Sequence, residues 1–278
     1  MASGKPGIDL RPGPFLKVAA SRLDVSSRHG FPVTLAWVFS GLFFVVFISI
    51  AEEAVEPFVL ALDRAVPALL SAVSGPLMTR IMWVATLLGD ARVAVVATLA
   101  AAVVLAAWGH PRRAGSVIIL MIVGSSLAEG VKYLIDRPRP EATSLIALPG
   151  STSFPSGHAM AGIVLAGTLA LMLIASRAPR WARVSGSAAI LATGLLVGVS
   201  RVYLGVHFFS DVLGSWCLGA TLVGLWAAAV LTWGRAVPLE PSARPLPGSM
   251  WWRWALTVVA PLVVVATLVV EAGANPLR

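Results

Sequence analysis

The chain has 278 residues, of which 58% are hydrophobic and only 12% are charged, and its mean hydropathy is +0.86. This composition excludes an ordinary soluble domain and predicts an integral membrane protein. The net charge of +8 does not indicate a nucleic-acid-binding protein, because the 21 Lys and Arg residues are scattered among short loops instead of being concentrated on one face.

Seven apolar runs have, or nearly have, the length of about 20 residues that a helix needs to cross a bilayer. In chain order they lie at approximately residues 32–51, 91–108, 115–134, 159–176, 184–200, 208–233 and 254–271. The first six form a core, and the last is an additional C-terminal span. The sequence therefore predicts an all-α fold, a polytopic transmembrane helical bundle.

Residues 57–88 lie between the first two runs and are less continuously apolar. The residues that interrupt this segment are Asp63, Arg64, Pro67, Gly75, Pro76 and Arg80. The interruptions favour short amphipathic helices at the membrane interface over a further span. This interpretation decides the topology, because one more crossing would invert every later segment.

Arginine and lysine residues report which loops face the cytoplasm. If residues 52–90 do not cross, the basic segments all fall on one side, namely the tail 1–30, the loop near residue 110, the loop 177–183 and the loop 234–253. The positive-inside rule makes this side the cytoplasm. The chain is therefore expected to be a multi-pass protein of the inner (plasma) membrane.

The same reasoning gives the domain organisation. Residues 1–30 are predicted to be a basic cytoplasmic tail, and residues 31–233 a membrane domain that includes the interfacial helices. Residues 234–278 form a cytoplasmic loop and the extra span. The loops at 135–158 and 200–211 both lie on the periplasmic or exterior face, where they can form one composite site.

One polar stretch begins at the end of the third run, where six residues separate Lys132 from Arg139. Cationic side chains near a helix end usually extend to lipid headgroups, so this stretch alone indicates no site. Interpreting it as part of a site depends on the two stretches that follow.

A second stretch, Pro155 to His158, opens the fourth run. Pro155 and Ser156 are helix start signals, and Gly157 leaves the backbone open to close approach. The first N–H groups of a helix have no partner within it and lie at the positive end of its dipole, so they form an anion site. His158 lies beside that site, although a histidine at a helix start more often has a structural role.

The third stretch contains His207 and Asp211. On a helix, residues four apart share a face, so the carboxylate can accept the proton of one imidazole nitrogen. The other nitrogen then keeps its lone pair, which makes the histidine a candidate nucleophile or base. A structural hydrogen bond at the helix start is an equally good interpretation of this pair in isolation.

Together the three stretches indicate phosphoryl transfer. Lys132, Arg139 and Arg201 could neutralise the phosphoryl oxygens while one histidine attacks and the other protonates the leaving oxygen. No metal or cofactor is then required. A metal site would have to recruit Glu129, Asp136 or Glu141, and the ligand spacing of a two-metal site is missing.

These stretches resemble the three-part signature of the type 2 phosphatidic acid phosphatase superfamily of lipid phosphatases. The parts are matched by Lys132 to Pro140, by Pro155 to His158 and by Ser200 to Asp211. Every fixed position agrees, in order, and the matched region with its spans covers roughly residues 60–230.

The resemblance implies a role for each matched residue. His207 would form a phosphohistidine, Asp211 would orient it, and His158 would be the general acid. The residues that would hold the phosphate are Lys132, Arg139, Ser156, Gly157 and Arg201.

Three features fall outside the signature. Arg137 also precedes a proline, but the six-residue spacing selects Arg139, so Arg137 is interpreted as a loop or headgroup residue. Glu129 is one helical turn from Lys132 and is expected to pair with it. The run 254–271 departs from the family's usual six spans and would place the C-terminus outside.

The function that the resemblance implies is a metal-independent membrane phosphatase acting on a lipid phosphate or diphosphate at the extracytoplasmic face. Polyprenyl (undecaprenyl) diphosphate, the carrier by-product of cell-wall synthesis, is expected first. Phosphatidylglycerophosphate, phosphatidic acid and lipid A phosphate are the alternatives, and transfer of the phosphate to another lipid is a further one. The expected partners are the lipid substrate and the bilayer, without nucleic acid, and the sequence does not indicate the oligomeric state.

Two alternatives come from other classes of protein. A transporter could line its pathway with intramembrane charges, but the motif-bearing half is not visibly repeated and its polar residues cluster at one face. A soluble haloperoxidase shares the motif set by resemblance, and the hydropathy of this chain argues against it.

Overall fold

The computed structural model describes residues 30–52, 57–140, 144–233 and 251–274. These residues form nine α-helices and no strand. The helices are α1 (Phe31–Glu52), α2 (Pro57–Ala72), α3 (Pro76–Leu87), α4 (Ala91–Ala107), α5 (Pro111–Ile135), α6 (Gly157–Ile174), α7 (Arg180–Tyr203), α8 (Phe209–Trp233) and α9 (Trp251–Ala274). The predicted all-α fold is confirmed.

Each of the seven apolar runs coincides with one helix. Within the described ranges, six helices are long and apolar enough to cross a membrane: α1, α5, α6, α7, α8 and Leu256–Gly273 of α9. Helices α3 and α4 meet at an angle of 59° across a short break and would add a seventh span if they crossed as one unit. The predicted polytopic helical bundle is confirmed.

The segment between the first two runs forms α2 and α3, two separate helices, as the interruptions predicted. Their position at the membrane interface stays a prediction. The charged residues of α2 do not all lie on a solvated face, because Asp63 is buried and α2 packs against α8. This buried carboxylate matters for the site described below.

Close helix packing in the core depends on small residues. At Gly194 on α7, an added Cβ would lie 2.8 Å from the carbonyl oxygen of Gly162 on α6. Side chains at these positions would force the two helices apart, so glycine allows the backbones to approach closely, as is common between membrane helices. Helix α6 is thereby fixed against α7, and α8 packs against α6 and α1.

Helix α9 packs along α4 in the opposite direction. Near the end of α4, the indole nitrogen of Trp108 donates to Oγ1 of Thr257 at 3.0 Å. Near its start, Nη1 of Arg92 lies 3.0 Å from Oε1 of Glu271. The end of α9 therefore lies beside the beginning of α4, at the same end of the bundle as the loops that contain the sequence motifs.

Candidate active site

A cavity of about 650 Å³ lies at the end of the bundle where α5 and α7 finish and α6 and α8 begin. Six of the eight predicted site residues line it: Lys132, Arg139, Gly157, His158, Arg201 and His207. The other two, Ser156 and Asp211, are fully buried behind this lining. The fold thus brings together three segments that are far apart in the sequence.

Helix α6 begins at the cavity because Ser156 caps it. The Ser156 hydroxyl accepts a hydrogen bond from the backbone N–H of Ala159 at 3.5 Å, so the predicted helix start is confirmed. The ammonium of Lys132 lies close to Gly157, the first residue of α6, at 3.5 Å from where a Cβ on this glycine would be. The first turn of α6 therefore presents a glycine, a neighbouring cation and His158 to the cavity.

Lys132 lies in the last turn of α5 and is held by Glu129. The Nζ to Oε1 distance is 2.6 Å, which confirms the predicted pairing. The lysine side chain is 11% exposed and the glutamate 68% exposed, so the carboxylate is on the solvated side of the pair. Lys132 is consequently oriented at the cavity wall while its counter-ion stays largely outside.

His207 and Asp211 are in contact, but not as two residues of one helix. His207 precedes α8, whose third residue is Asp211. Oδ2 of Asp211 lies 3.3 Å from Nδ1 of His207 and also accepts from the backbone N–H of Phe208 at 2.9 Å. The carboxylate therefore caps the start of α8 in the manner of a capping box and orients the imidazole at the same time.

The other imidazole nitrogen faces Arg139. Nη1 of Arg139 lies 3.0 Å from Nε2 of His207 and donates to the carbonyl of Val206 at 2.8 Å. A guanidinium has no acceptor, so Nε2 must supply the lone pair and the proton of the neutral ring resides on Nδ1, facing Asp211. This is the tautomer that a nucleophilic Nε2 requires.

Burial lowers the pKa of both groups in this contact. Loss of solvent lowers the pKa of His207 to about 4, against the opposing effect of the Asp211 carboxylate, and the Arg201 and Arg139 cations lower it further. Burial also lowers the pKa of Arg139 from its ordinary value. The imidazole is therefore neutral near pH 7.

Arg201, in the last turn of α7, provides a second guanidinium. It is 3% exposed, and its Nη1 donates to Oγ1 of Thr86 at 2.8 Å. Its Nε is buried and has no hydrogen-bond partner among the described residues. Because buried donors are nearly always satisfied, a cavity-lining donor of this kind is suited to an anionic acceptor such as a phosphate oxygen.

Arg137 lies in a loop, as predicted, but the structure gives it buried partners that the headgroup interpretation did not include. Its side chain is only 10% exposed, and it forms ion pairs with two buried carboxylates. Nη1 lies 2.6 Å from Oδ1 of Asp211, and Nη2 lies 2.8 Å from Oδ2 of Asp63. The motif spacing correctly predicted Arg139 as a site residue. It could not show that Arg137 contacts Asp211, which lies behind the cavity lining.

The sequence did not indicate three further residues of the network around Asp211, namely Asp63, Ser153 and Ser210. Asp63 accepts from the backbone N–H of Ser210, and the hydroxyl of Ser153 donates to Oδ2 of Asp211. One signal was present, since an aspartate within an apolar helix needs a partner when it is buried. The hydroxyls carried no such signal, because serine is common in loops.

Two of the acids that a metal site would have needed, Glu129 and Asp136, lie in the part of the chain that the structure describes. In the part of the chain that the structure describes, no group of three or more His, Cys, Asp or Glu residues could hold a metal ion. Glu129 pairs with Lys132, and Asp136 ends α5 in the left-handed conformation with φ 46°. Glu141 lies outside the described residues.

Comparisons with known proteins give a family match for part of the chain. Residues 113–235, which contain all three motif stretches, match the PAP2 superfamily. The chain is 38% identical over 109 residues to phosphatidylglycerophosphatase B of Bacillus subtilis, covering 38% of this chain and 53% of that protein. It is 34% identical over 110 residues to an undecaprenyl-diphosphatase of Sulfolobus acidocaldarius, covering 38% of this chain and 49% of that protein.

The chain spans about half the length of the curated relatives it matches. Its fold is similar to the crystal structure of a transmembrane PAP2 type phosphatidylglycerolphosphate phosphatase from Bacillus subtilis, with a TM-score of 0.59 and 24% identity over 73% of this chain and 98% of that chain. The resemblance stated from the motif stretches is confirmed for residues 113–235, which match the PAP2 superfamily and make up less than half of the chain.

Proposed function

We propose that this protein is a membrane phosphatase that hydrolyses a lipid phosphate or diphosphate through a phosphohistidine. The observation that carries the proposal is the cavity itself, where two histidines and three cations meet at one end and an apolar groove continues from them. The cations suit an anionic headgroup and the groove suits a hydrocarbon tail, so a lipid phosphate would fill both parts of the cavity.

His207 is the proposed nucleophile. Its Nε2 attacks phosphorus, a nitrogen–phosphorus bond forms, and the bond from phosphorus to the leaving oxygen breaks as His158 gives that oxygen a proton. A water molecule then attacks phosphorus and gives a proton to His158, so that an oxygen–phosphorus bond forms while the nitrogen–phosphorus bond breaks. Inorganic phosphate is released, and Nε2 of His207 regains its lone pair. Asp211 accepts the hydrogen bond from Nδ1–H throughout and stabilises the positive charge that develops on the ring.

The cations hold the group being transferred. Lys132, Arg139 and Arg201 all line the cavity around the histidines, and charge on the phosphoryl oxygens is stabilised by donors that are already in place. The contact of Arg139 with Nε2 is replaced by a contact with a phosphoryl oxygen when substrate binds. The proposed reaction therefore requires no metal ion.

The apolar part of the cavity supports a lipid substrate. Its lining residues come from α4 and α5: Ala94, Val95, Thr98, Leu99, Ile118, Met121 and Ile122. Leu99 is 51% exposed and Ile122 is 61% exposed, so the apolar part of the groove is open at the surface of the bundle, where lipid would contact it in a bilayer. A substrate anchored by its tail can reach the histidines without leaving the bilayer.

Among lipid phosphates, we place a polyprenyl diphosphate first. A single isoprenoid tail can follow one groove between two helices, whereas a glycerophospholipid must accommodate two acyl chains. The relative named undecaprenyl-diphosphatase supports this first candidate. Phosphatidylglycerophosphate is the second candidate, because another relative is named phosphatidylglycerophosphatase B. The topology inferred from the basic loops puts the reaction at the extracytoplasmic face of the inner membrane.

The test is phosphate release by purified protein from a panel presented in detergent and in liposomes. The panel contains a polyprenyl diphosphate, phosphatidylglycerophosphate, phosphatidic acid and a water-soluble phosphate monoester, with the His207→Ala variant as the blank. We expect the polyprenyl diphosphate to be turned over fastest. Preference for a glycerophospholipid would contradict that choice, and faster turnover of the soluble monoester would contradict a membrane substrate. A phosphorylated lipid acceptor instead of free phosphate would indicate a transferase.

A further inference from the structure

We propose that α2, which lies outside the family-matched residues 113–235, positions the nucleophile through Asp63 and Arg137. The proposal rests on the proposed function, because it assigns a role in the same reaction. Neither residue lines the cavity, so both are positioning residues that act on His207 through Asp211. The loop that carries Arg139 would thus supply two arginines with different tasks, one for the phosphate and one for the carboxylate.

Arg137 connects the two carboxylates directly. One amino group of its guanidinium is 2.6 Å from Asp211 and the other is 2.8 Å from Asp63. Its Cζ lies 4.3 Å from the ring centroid of Phe208, the residue between the nucleophile and α8. The two carboxylates and the Phe208 ring together fix the guanidinium in one orientation, which a lysine ammonium could not reproduce.

Asp63 fixes the start of α8 from a different helix. Its Oδ1 accepts from the backbone N–H of Ser210 at 2.8 Å, and its Oδ2 accepts from the Ser210 hydroxyl at 2.7 Å. Arg137 also donates to that hydroxyl at 2.7 Å. The first turn of α8 is therefore held by a carboxylate of α2, and Asp211 is the next residue in that turn.

The contacts form a continuous chain from α2 to the reacting atom. Asp63 binds Arg137, Arg137 binds Oδ1 of Asp211, and Oδ2 of Asp211 faces Nδ1 of His207. Each carboxylate oxygen of Asp211 thus has a separate task, so rotation of the carboxylate would break both contacts. Removing Arg137 leaves the Asp211 carboxylate held only through Oδ2, by Phe208 and Ser153, so the imidazole is less firmly oriented toward the phosphorus.

Stability alone is a weak reason for this arrangement. Burying a charged pair costs desolvation energy that its attraction often does not recover, and well-packed apolar residues are frequently as stable or more so. A network of two carboxylates and one guanidinium with several charge-assisted hydrogen bonds instead specifies one geometry. That geometry ends at the nucleophile.

The two residues should have opposite electrostatic effects on His207. Charged and titratable groups approach the ring from every side: Asp211 on α8, Arg137 and Arg139 on the loop, Arg201 on α7, His158 on α6, Lys132 on α5 and Asp63 on α2. Loss of the Arg137 cation makes protonation of His207 easier. Loss of the Asp63 charge leaves the cation less neutralised and makes protonation harder.

The experiment compares Arg137→Gln, Arg137→Lys and Asp63→Asn in the full chain. We expect Arg137→Gln to lower kcat about a hundredfold, the scale of loss for a misplaced reacting group, with little change in KM. The acid limb of its pH profile should move up by about one pH unit and that of Asp63→Asn should move down. Arg137→Lys should recover part of kcat, and the Asp63→Asn/Arg137→Gln double variant should be no slower than Arg137→Gln.

Arg64→Gln is the matched control, because Arg64 is the exposed neighbour of Asp63 on the same helix. It should leave kcat, KM and the pH profile unchanged. Unchanged kcat in Arg137→Gln, or losses that follow the fall in Tm with the pH profile fixed, would overturn the positioning role.

A second readout separates this proposal from the proposed function. NMR of the protein labelled at its four histidines reports the protonation of His207, assigned with His207→Gln, whether or not any substrate is turned over. Movement of its titration to higher pH in Arg137→Gln and to lower pH in Asp63→Asn supports the positioning role. Identical titration in wild type and both variants overturns it, while absence of turnover in every protein contradicts only the proposed function.

Discussion

Nη1 of Arg139 lies 3.0 Å from Nε2 of His207, so the cation proposed to bind phosphate contacts the atom proposed to attack it. The guanidinium holds the ring in the tautomer whose proton faces Asp211. In the proposed mechanism, a phosphoryl group that enters the cavity takes over this donor, which places phosphorus beside the freed lone pair. Binding of the phosphoryl group would then expose the Nε2 lone pair in the same step.

The two histidines should differ in what their loss costs. We expect His207→Ala to lower phosphate release by roughly four orders of magnitude or more with every substrate, since the covalent intermediate cannot form. His158→Ala should cost about a hundredfold or more with a lipid substrate, and much less with an aryl phosphate whose leaving group needs little protonation. Steady-state rates with both substrates measure this, and His110→Ala, at the opposite end of α5, is the control. Equal and small losses for both variants would contradict the assignment.

Burial of His207 should make stability depend on pH in a defined window. Its pKa is about 4 in the folded protein, below the value of about 6.5 for an unfolded histidine. Between these values the unfolded chain binds the proton first, so the free energy of unfolding falls as the pH is lowered from about 6.5 to about 4 and is then constant. The Tm of wild type should therefore drop more than that of His207→Gln between pH 7 and pH 4.5. Parallel drops would show that the ring is not buried in its neutral form.

Gly89 should be intolerant of a side chain because it lies against His158, the proposed general acid. A Cβ there would lie 2.9 Å from both Cβ and the carbonyl oxygen of His158, and 2.5 Å from Cγ1 of Val197. The carbonyl oxygen belongs to backbone and cannot rotate away, so we expect Gly89→Ala to displace His158 and to lower kcat about a hundredfold. Gly115→Ala, where nothing lies within 4 Å, should keep full activity. Wild-type rates in Gly89→Ala would contradict the contact.

Topology reporters should place the active site outside the cytoplasm. Fusions after Arg113 and Arg183 should report the cytoplasm, because arginine-rich loops resist translocation, and fusions near Ser144 and Gly205 should report the exterior. A cytoplasmic signal at Ser144 would mean that the segment containing α2 and α3 crosses the membrane. It would also move the cavity to the inner face.

Activity should survive strong chelation and fall with vanadate. The proposed mechanism stabilises the phosphoryl group with Lys132, Arg139 and Arg201, so removal of divalent cations should leave the rate within about twofold of its starting value. Vanadate should inhibit competitively, because it can adopt the five-coordinate geometry of a transferring phosphoryl group. Loss of activity in chelator that magnesium restores would contradict the metal-free mechanism.

The sequence was sufficient for the spans and for the motif residues. Hydropathy locates helices because an apolar run of about 20 residues has few other stable states in a bilayer. Motif spacing selected Lys132, Arg139 and His207, and all three line one cavity. The start of α6 was also predictable, since the capping preference of Ser156 is a local property.

Local spacing was misleading where the chain turns. His207 and Asp211 are four residues apart, which indicated two positions on one helical face, yet α8 begins only at Phe209. The contact forms because Asp211 reaches back to cap its own helix. The same spacing is compatible with both geometries, so the sequence identified the pair but not how it is built.

The tertiary structure alone decided what surrounds His207, the proposed nucleophile. Arg137 and Asp63 are 74 residues apart, and Asp63 and Ser210 are 147 apart, so no periodicity or motif relates them. Their contacts exist because α2 packs on α8 and brings a carboxylate to a buried arginine. Sequence patterns record which residues prefer water, lipid or a helix end. The partner of a buried charge is instead set by which helices the packed bundle places side by side.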